Sequence, residues 1–301
     1  MFYDLNVPYA ADEAQLTNTL NFLAEVGYTT VALSQTMSGK LPPNLAAPQL
    51  PSHAPKSLTL LTRLNLVLSD PSQSYRMANL IPLFSIVAVR PMNEKSLLNA
   101  CTNLDCDLIS LDLSVRLPFH FKFKTVSSAI SRGVRFEICY SPGITGSGLE
   151  ARRNLIGNAM SLIRATRGRG IIISSEAKRA LAIRAPMDVV NLACVWGLSH
   201  ERGKEAICEE ARKVVALSSL KRTSWRGVVD VVDGGEKLAP KKVEDASKKK
   251  VEQTVTILDK NGENLKRKAS VESAQEIEKP LSKREMKRRA KKARLETHVQ
   301  S

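Results

Sequence analysis

The chain has 301 residues, 43% of them hydrophobic, enough to bury the core of one large domain or two small ones. Its 45 Lys and Arg against 30 Asp and Glu give a formal net charge of +15, which points to a nucleic-acid or anionic-membrane partner. A run of about 18 apolar residues is absent, the start MFYDLNVPYAADE lacks the order of a secretory signal, and five cysteines without a C-x-x-C pair predict neither a disulfide framework nor a zinc site.

Along the chain, FYDLNV (2–7) reads as a strand, followed by a helix from about Asp12 to Val26 with Leu16, Leu20 and Leu23 at helical spacing. TTVAL (29–33) is a second strand. Residues 34–58 carry five prolines and no periodicity, which predicts a loop. LTLLTRLNLVL (58–68), FSIVAV (84–89), DLISLDL (107–113), VRFEICY (134–140) and GIIIS (170–174) supply further strands. Helices are expected over Asn93–Cys101, Phe123–Arg132 and Leu149–Ala165. Strands alternating with helices imply a parallel sheet, doubly wound or closed, and the lack of an early Gly-rich dinucleotide loop favours a barrel. The last repeat has no clear strand: Pro186 opens a helix through Trp196, and Ser199 caps another reaching about Leu220. The fold class is therefore α/β, an irregular TIM-like barrel over residues 1–226.

Beyond about Gly227 the apolar periodicity collapses. Residues 227–301 hold 19 Lys and Arg and 13 Asp and Glu with few large apolar side chains, which predicts a disordered basic tail. Near its end Lys283, Arg284, Lys287, Arg288, Arg289, Lys291, Lys292 and Arg294 surround Glu285 and read as a nuclear import signal. Ser282 with Glu285 makes a capping box, so the segment could become a helix on an acidic partner.

Barrel enzymes place catalytic groups at the C-terminal ends of their strands, where this chain offers Asp4, Asn6, Asp112 and Glu137. Isolated acids there are more often hydrogen-bonded structural groups. His53, His120, His200 and His298 are scattered, and no H-x-H, H-E-x-x-H, Walker loop or nucleophile elbow occurs, so no catalytic residue, metal ligand or cofactor is assigned.

Two Arg-bearing stretches remain. In SPGITGSGLEARRN (141–154) three glycines lie between a strand and a helix, and Arg152 and Arg153 follow in the helix's first turns. A flexible loop is the plainer reading; backbone N–H groups at a helix start can also bind phosphate. Arginines there oppose the helix macrodipole, so they have no local structural reason. In RATRGRGIIISSEA (164–177) Arg164, Arg167 and Arg169 stand between the helix end and a strand. They form either a solubilising turn or a phosphate-facing loop, since guanidinium groups hold phosphate in bidentate geometry.

MFYDLNVP (1–8), NLDCDLISLD (103–112) with RLPFHFK (116–122), AISRGVRFEICYS (129–141) and RRNLIGNAMSLIRATRGRGIIISSEA (152–177) resemble the thirty-kilodalton protein subunit of eukaryotic and archaeal ribonuclease P. AVRPMNEKSLLNAC (88–101) and RAPMDVVNLACVWGL (184–198) follow the same pattern. The resemblance runs in order from Met1 to about Leu220, leaving out the Pro-rich insert and the tail. It implies a barrel related to the polymerase-and-histidinol-phosphatase (PHP) metal hydrolases. Where those carry H-x-H on the first strand, DLNVP offers Asn6 and Pro8, which implies that the barrel is kept and the metal chemistry is not. It further implies a non-catalytic subunit of nuclear ribonuclease P, which removes pre-tRNA 5′ leaders by means of its RNA, and of ribonuclease MRP, which processes ribosomal RNA precursors. The implied partners are the catalytic RNA, pre-tRNA and other protein subunits, a small α/β protein among them, in the nucleus and its nucleolus and with no membrane. Arg152 and Arg153 would then face RNA phosphates, or a protein neighbour, about 17 Å along one helix from Arg164, Arg167 and Arg169. The alternative readings are a PHP-like metal-dependent phosphoesterase and a free-standing basic RNA chaperone.

Overall fold

The computed structural model describes residues 1–10, 12–39, 47–51, 53–70, 77–146 and 148–223. Seven strands run parallel and lie side by side in chain order: β1 (Tyr3–Pro8), β2 (Thr30–Ser38), β3 (Thr59–Leu68), β4 (Ile86–Pro91), β5 (Leu108–Leu111), β6 (Arg135–Cys139) and β7 (Ile171–Ser174). The segment after β7 returns to β1, where the Glu176 N–H donates to the Asn6 carbonyl at 2.8 Å and the Ser175 N–H to Asp4 Oδ1 at 3.0 Å. The sheet is thereby a nearly closed barrel. Helices fill the connections: α1 (Glu13–Val26), α2 (Met77–Leu80), α3 (Glu94–Thr102), α4 (Phe123–Ser131), α5 (Ser141–Thr145), α6 (Leu149–Thr166), α7 (Pro186–Val195), α8 (His200–Ile207) and α9 (Glu209–Thr223). None of them is long and apolar enough to cross a membrane.

The period of two in each strand sorts its side chains. In β3, Leu64, Leu66 and Leu68 point outward into the main core shared with the helices, while Arg63 and Asn65 point inward. β4 and β5 do the same with Val87 and Val89, and with Ile109 and Leu111, on the outer face. The inward set separates into two layers. Tyr3, Leu5, Ala32, Ile86, Ala88, Leu108 and Ile172 make an apolar layer near the strands' N-terminal ends, sealed by Ala211 and Val214 of α9. Above it lies a polar layer. Ion pairs tie α9 down: Arg135 to Glu210 at 2.5 Å, and Arg222 to Asp107 at 2.9 Å.

Three expectations change. β2 continues to Ser38 although Ser34–Ser38 has no strand-like pattern, because β3 offers a matching ladder from Thr30↔Thr59 to Ser38↔Val67. The Gly-rich stretch after β6 begins as the short helix α5 with Pro142 in its first turn, not as a loop. Gly143 is there for proximity: a Cβ would stand 2.5 Å from Leu155 Cδ2 of α6. The helix expected from Ser199 to about Leu220 breaks at Cys208 (φ −116°, ψ −81°), so that α9 can turn under the barrel while α8 packs on α7. The basic tail lies outside the described residues.

Candidate nucleic-acid interface

The barrel's C-terminal end must be considered first, because barrel enzymes work there. β1 bulges: Asp4 pairs with Val31 and Val7 with Leu33, so Leu5 and Asn6 together oppose Ala32 and both turn inward. Asp4 Oδ1 secures the bulge by accepting the Asn6 and Ser175 N–H groups at 3.2 and 3.0 Å. Asn6 Nδ2 donates to Glu137 Oε2 at 3.4 Å, and its Oδ1 accepts from Asn65 Nδ2 at 3.2 Å. Between these groups sits Arg63, which sequence reasoning missed. Its guanidinium meets Glu137 in a two-pronged pair (2.6 and 2.5 Å), donates to Asn65 Oδ1 at 2.7 Å, and reaches the Leu5 carbonyl at 2.6 Å. Both partners are completely buried.

Burial alone pushes the Glu137 carboxyl up; the Arg63 guanidinium more than reverses that and holds it at about 2. A carboxylate so engaged is no proton donor at neutral pH. The same donor set does not suit a metal ion, since an incoming cation would face the guanidinium at close range in a poorly screened interior. Among the described residues no three His, Cys, Asp or Glu come together as ligands. Asp112 accepts from the Ser114 hydroxyl at 2.6 Å, which makes it a turn-forming group. At the mouth, Arg90 is paired to Glu176 at 2.8 Å. The four strand-end candidates are thus structural in their contacts.

The arginines of α6 and its exit are placed differently. Arg152, Arg153, Arg164, Arg167 and Arg169 are all exposed. α6 buries Leu155, Ala159, Leu162, Ile163 and Thr166 against the barrel, which leaves the opposite side to solvent. At about 100° per residue Arg153 and Arg164 lie within about 20° of each other around the axis, some 17 Å apart along it, while Arg152 is turned about 100° away. The structure therefore aligns Arg153 with Arg164 and sets Arg152 on a separate flank. Among the described residues the guanidinium groups of Arg152, Arg153, Arg164 and Arg169 have no hydrogen-bond or ion-pair partner.

Arg167 is the exception. It caps α6 in the left-handed region (φ 55°), where glycine is the unstrained choice, and its guanidinium carbon lies 4.6 Å from the Phe123 ring centroid. The chain turns again at Gly168 and Gly170 (φ 67° and 63°) before entering β7. Beside this helix end runs a groove of about 690 Å³ between α6 and the segment joining β5 to α4. Arg116, His120, Phe121, Phe123 and Arg164 line it, and no Asp or Glu does. The alternation of aromatic and basic residues in RLPFHFKFK is the sequence signal for this groove. Arg63 also has a signal: it and Asn65 interrupt an apolar strand with period two.

The fold and this outer face define a TIM-like barrel in which the buried Arg63 and Glu137 neutralise each other and α6, among other surfaces, displays exposed arginines without partners among the described residues. The profile of the family described as RNase P subunit p30 matches residues 1–223, ending on the last residue of α9. The chain belongs to that family. It is 35% identical to the probable ribonuclease P protein subunit 3 of Schizosaccharomyces pombe, over 76% of this chain and 99% of that one. It is 33% identical to the mouse ribonuclease P protein subunit p30, over 82% and 95% of the two chains. The ribonuclease P/MRP protein subunit RPP1 of Saccharomyces cerevisiae is 34% identical over 78% and 86%. Among solved structures, a chain of archaeal ribonuclease P with mature tRNA shares the fold with a TM-score of 0.58 at 15% identity, covering 77% of this chain and all of that one.

Proposed function

We propose that the chain is a non-catalytic subunit of nuclear ribonuclease P and of ribonuclease MRP, binding RNA and neighbouring proteins while the particle's RNA carries catalysis. The family membership and the similarity to subunits of both particles support this reading. The observation that carries the RNA contact is the set of exposed guanidinium groups on α6 and its exit, of which those of Arg152, Arg153, Arg164 and Arg169 have no hydrogen-bond or ion-pair partner among the described residues. Unpaired arginines spaced along one helix suit the repeating phosphates of an RNA strand. Arg152, Arg153, Arg164, Arg167 and Arg169 are assigned to RNA phosphates, with a small α/β subunit as the competing neighbour for part of this face. Pre-tRNA, whose 5′ leader ribonuclease P removes, is the substrate of the assembled particle.

In the same proposal, residues 1–226 form the barrel unit and residues 227–301 an appended basic segment. Lys283, Arg284, Lys287, Arg288, Arg289, Lys291, Lys292 and Arg294 there direct nuclear import and nucleolar residence. They lie outside the described residues. Replacing the five arginines with glutamine tests the contact: the chain should fold, and assembly with the particle's RNA should weaken with a flatter salt dependence. Unchanged assembly would contradict it. The phosphoesterase alternative is disfavoured by Arg63, which occupies the polar layer that a metal would need.

A further inference from the structure

The segment RLPFHFKFK (116–124) sets Phe119, Phe121 and Phe123 alternately with His120, Lys122 and Lys124. α6 holds the chain just before it: Asn158 Nδ2 donates to the Leu113 and Val115 carbonyls, each at 2.9 Å, and Asn154 Nδ2 to that of Ser114 at 3.2 Å. Phe119 is buried and supports Phe121 edge-on, with ring centroids 5.9 Å apart and planes at 82°. Phe123 by contrast is 50% exposed, a large apolar ring that the barrel core does not use. Across the groove, Gly157 of α6 has nothing within 4 Å of where a Cβ would stand, which keeps that wall open. Arg116 and Arg164 line the groove as cations without a carboxylate beside them.

Flat aromatic surface with flanking unpaired cations matches one ligand chemistry, a planar base attached to anionic phosphates. A base inside a duplex has both faces covered by its neighbours, so only an unstacked nucleotide can offer a face to a phenylalanine. The groove's volume suits a single such unit. We propose that the groove between α6 and the β5–α4 segment binds an unpaired RNA nucleotide, its base against Phe121 and Phe123 and its phosphates on Arg116 and Arg164. This rests on the RNA-binding reading above and narrows it to single-stranded RNA at one place. An acidic protein segment, the competing occupant, would use the arginines but would draw nothing specific from the exposed ring.

The test uses the full chain with labelled oligouridylate and an RNA duplex of matched length. Phe123→Ala should weaken oligouridylate binding roughly 5- to 150-fold and leave both the duplex affinity and the salt slope unchanged. Phe123→Trp should retain binding, because it keeps a stacking face. Arg116→Gln and Arg164→Gln should each flatten the salt slope for oligouridylate by about 0.7. Because Phe123 is half exposed and gives up only its contact with Arg167, Phe123→Ala should melt cooperatively and only slightly below the parent, which excludes unfolding as the cause. The proposal falls if Phe123→Ala binds oligouridylate as the parent does, or if it weakens oligouridylate and duplex equally. If only the arginine variants have an effect, the RNA surface stands and the nucleotide pocket does not. If the parent chain binds neither RNA, both readings fail. Loss of a protein subunit on Phe123→Ala, with RNA binding intact, would give the groove to a protein.

Discussion

Arg63 and Glu137 are fully buried, and each is tolerated only because of the other. Arg63→Met should destabilise the barrel by about 3–5 kcal/mol, since it strands a carboxylate, whereas the double variant with Glu137→Leu should recover most of that loss. Denaturant titration of the parent and both variants measures it, and a double variant as unstable as the single one would show that the pair contributes beyond mutual neutralisation. Asp4 behaves in the opposite sense. Burial raises its carboxyl from 3.8 to about 6, with hydrogen bonds from Ser175 and Asn6 opposing the shift, so the native state holds this proton more tightly than the unfolded chain. Stability from Asp4 is therefore greatest at low pH and falls as pH rises from about 4 to about 6, by roughly 2–3 kcal/mol. The melting temperature of Asp4→Asn relative to the parent should rise across that window and level off above it; a constant difference would contradict the assignment. Glu137 opposes this only at the acid end, losing its contribution as pH falls from 4.5 towards about 2.

At the scale of elements, α9 closes the barrel, and the proposal above gives recognition to α6. Replacing Arg164, Arg167 and Arg169 with glutamine should shift stability by no more than about 1 kcal/mol, because only Arg167, stacked on Phe123, gives up a local interaction. The salt dependence of RNA assembly should flatten by about 0.7–0.9 for each phosphate left without its arginine. Val214→Asp in α9, by contrast, would place a carboxylate against the apolar layer beneath the polar one, and should cost more than about 3 kcal/mol in a melt. The strands were legible in the sequence because each is a short apolar run bounded by turn residues, and parallel strands are covered on both faces. The end of β2 was not, since Ser34–Ser38 is a strand only through its pairing with β3. Nor was α5, which depends on Gly143 fitting against Leu155 from the next helix. The α6 arginines were visible as charges, but their lack of partners is a property of three-dimensional surroundings. So is the proximity of Phe123 to Arg167, which are far apart in the chain.

For the whole molecule, the Arg63–Glu137 pair is compensated inside the barrel, while α6 is one of the outer surfaces on which the described residues carry exposed arginines without partners. The barrel then serves as a rigid frame for α6 and the segment beside it, with α9 locking the opposite end of the strands. Photo-crosslinking of the assembled ribonucleoprotein particle, with the RNA adducts mapped to peptides, tests this division most directly. Adducts are expected within residues 116–124 and 152–169, and few at the barrel's C-terminal mouth. Adducts confined to other faces, with these two segments shielded by protein subunits, would contradict it.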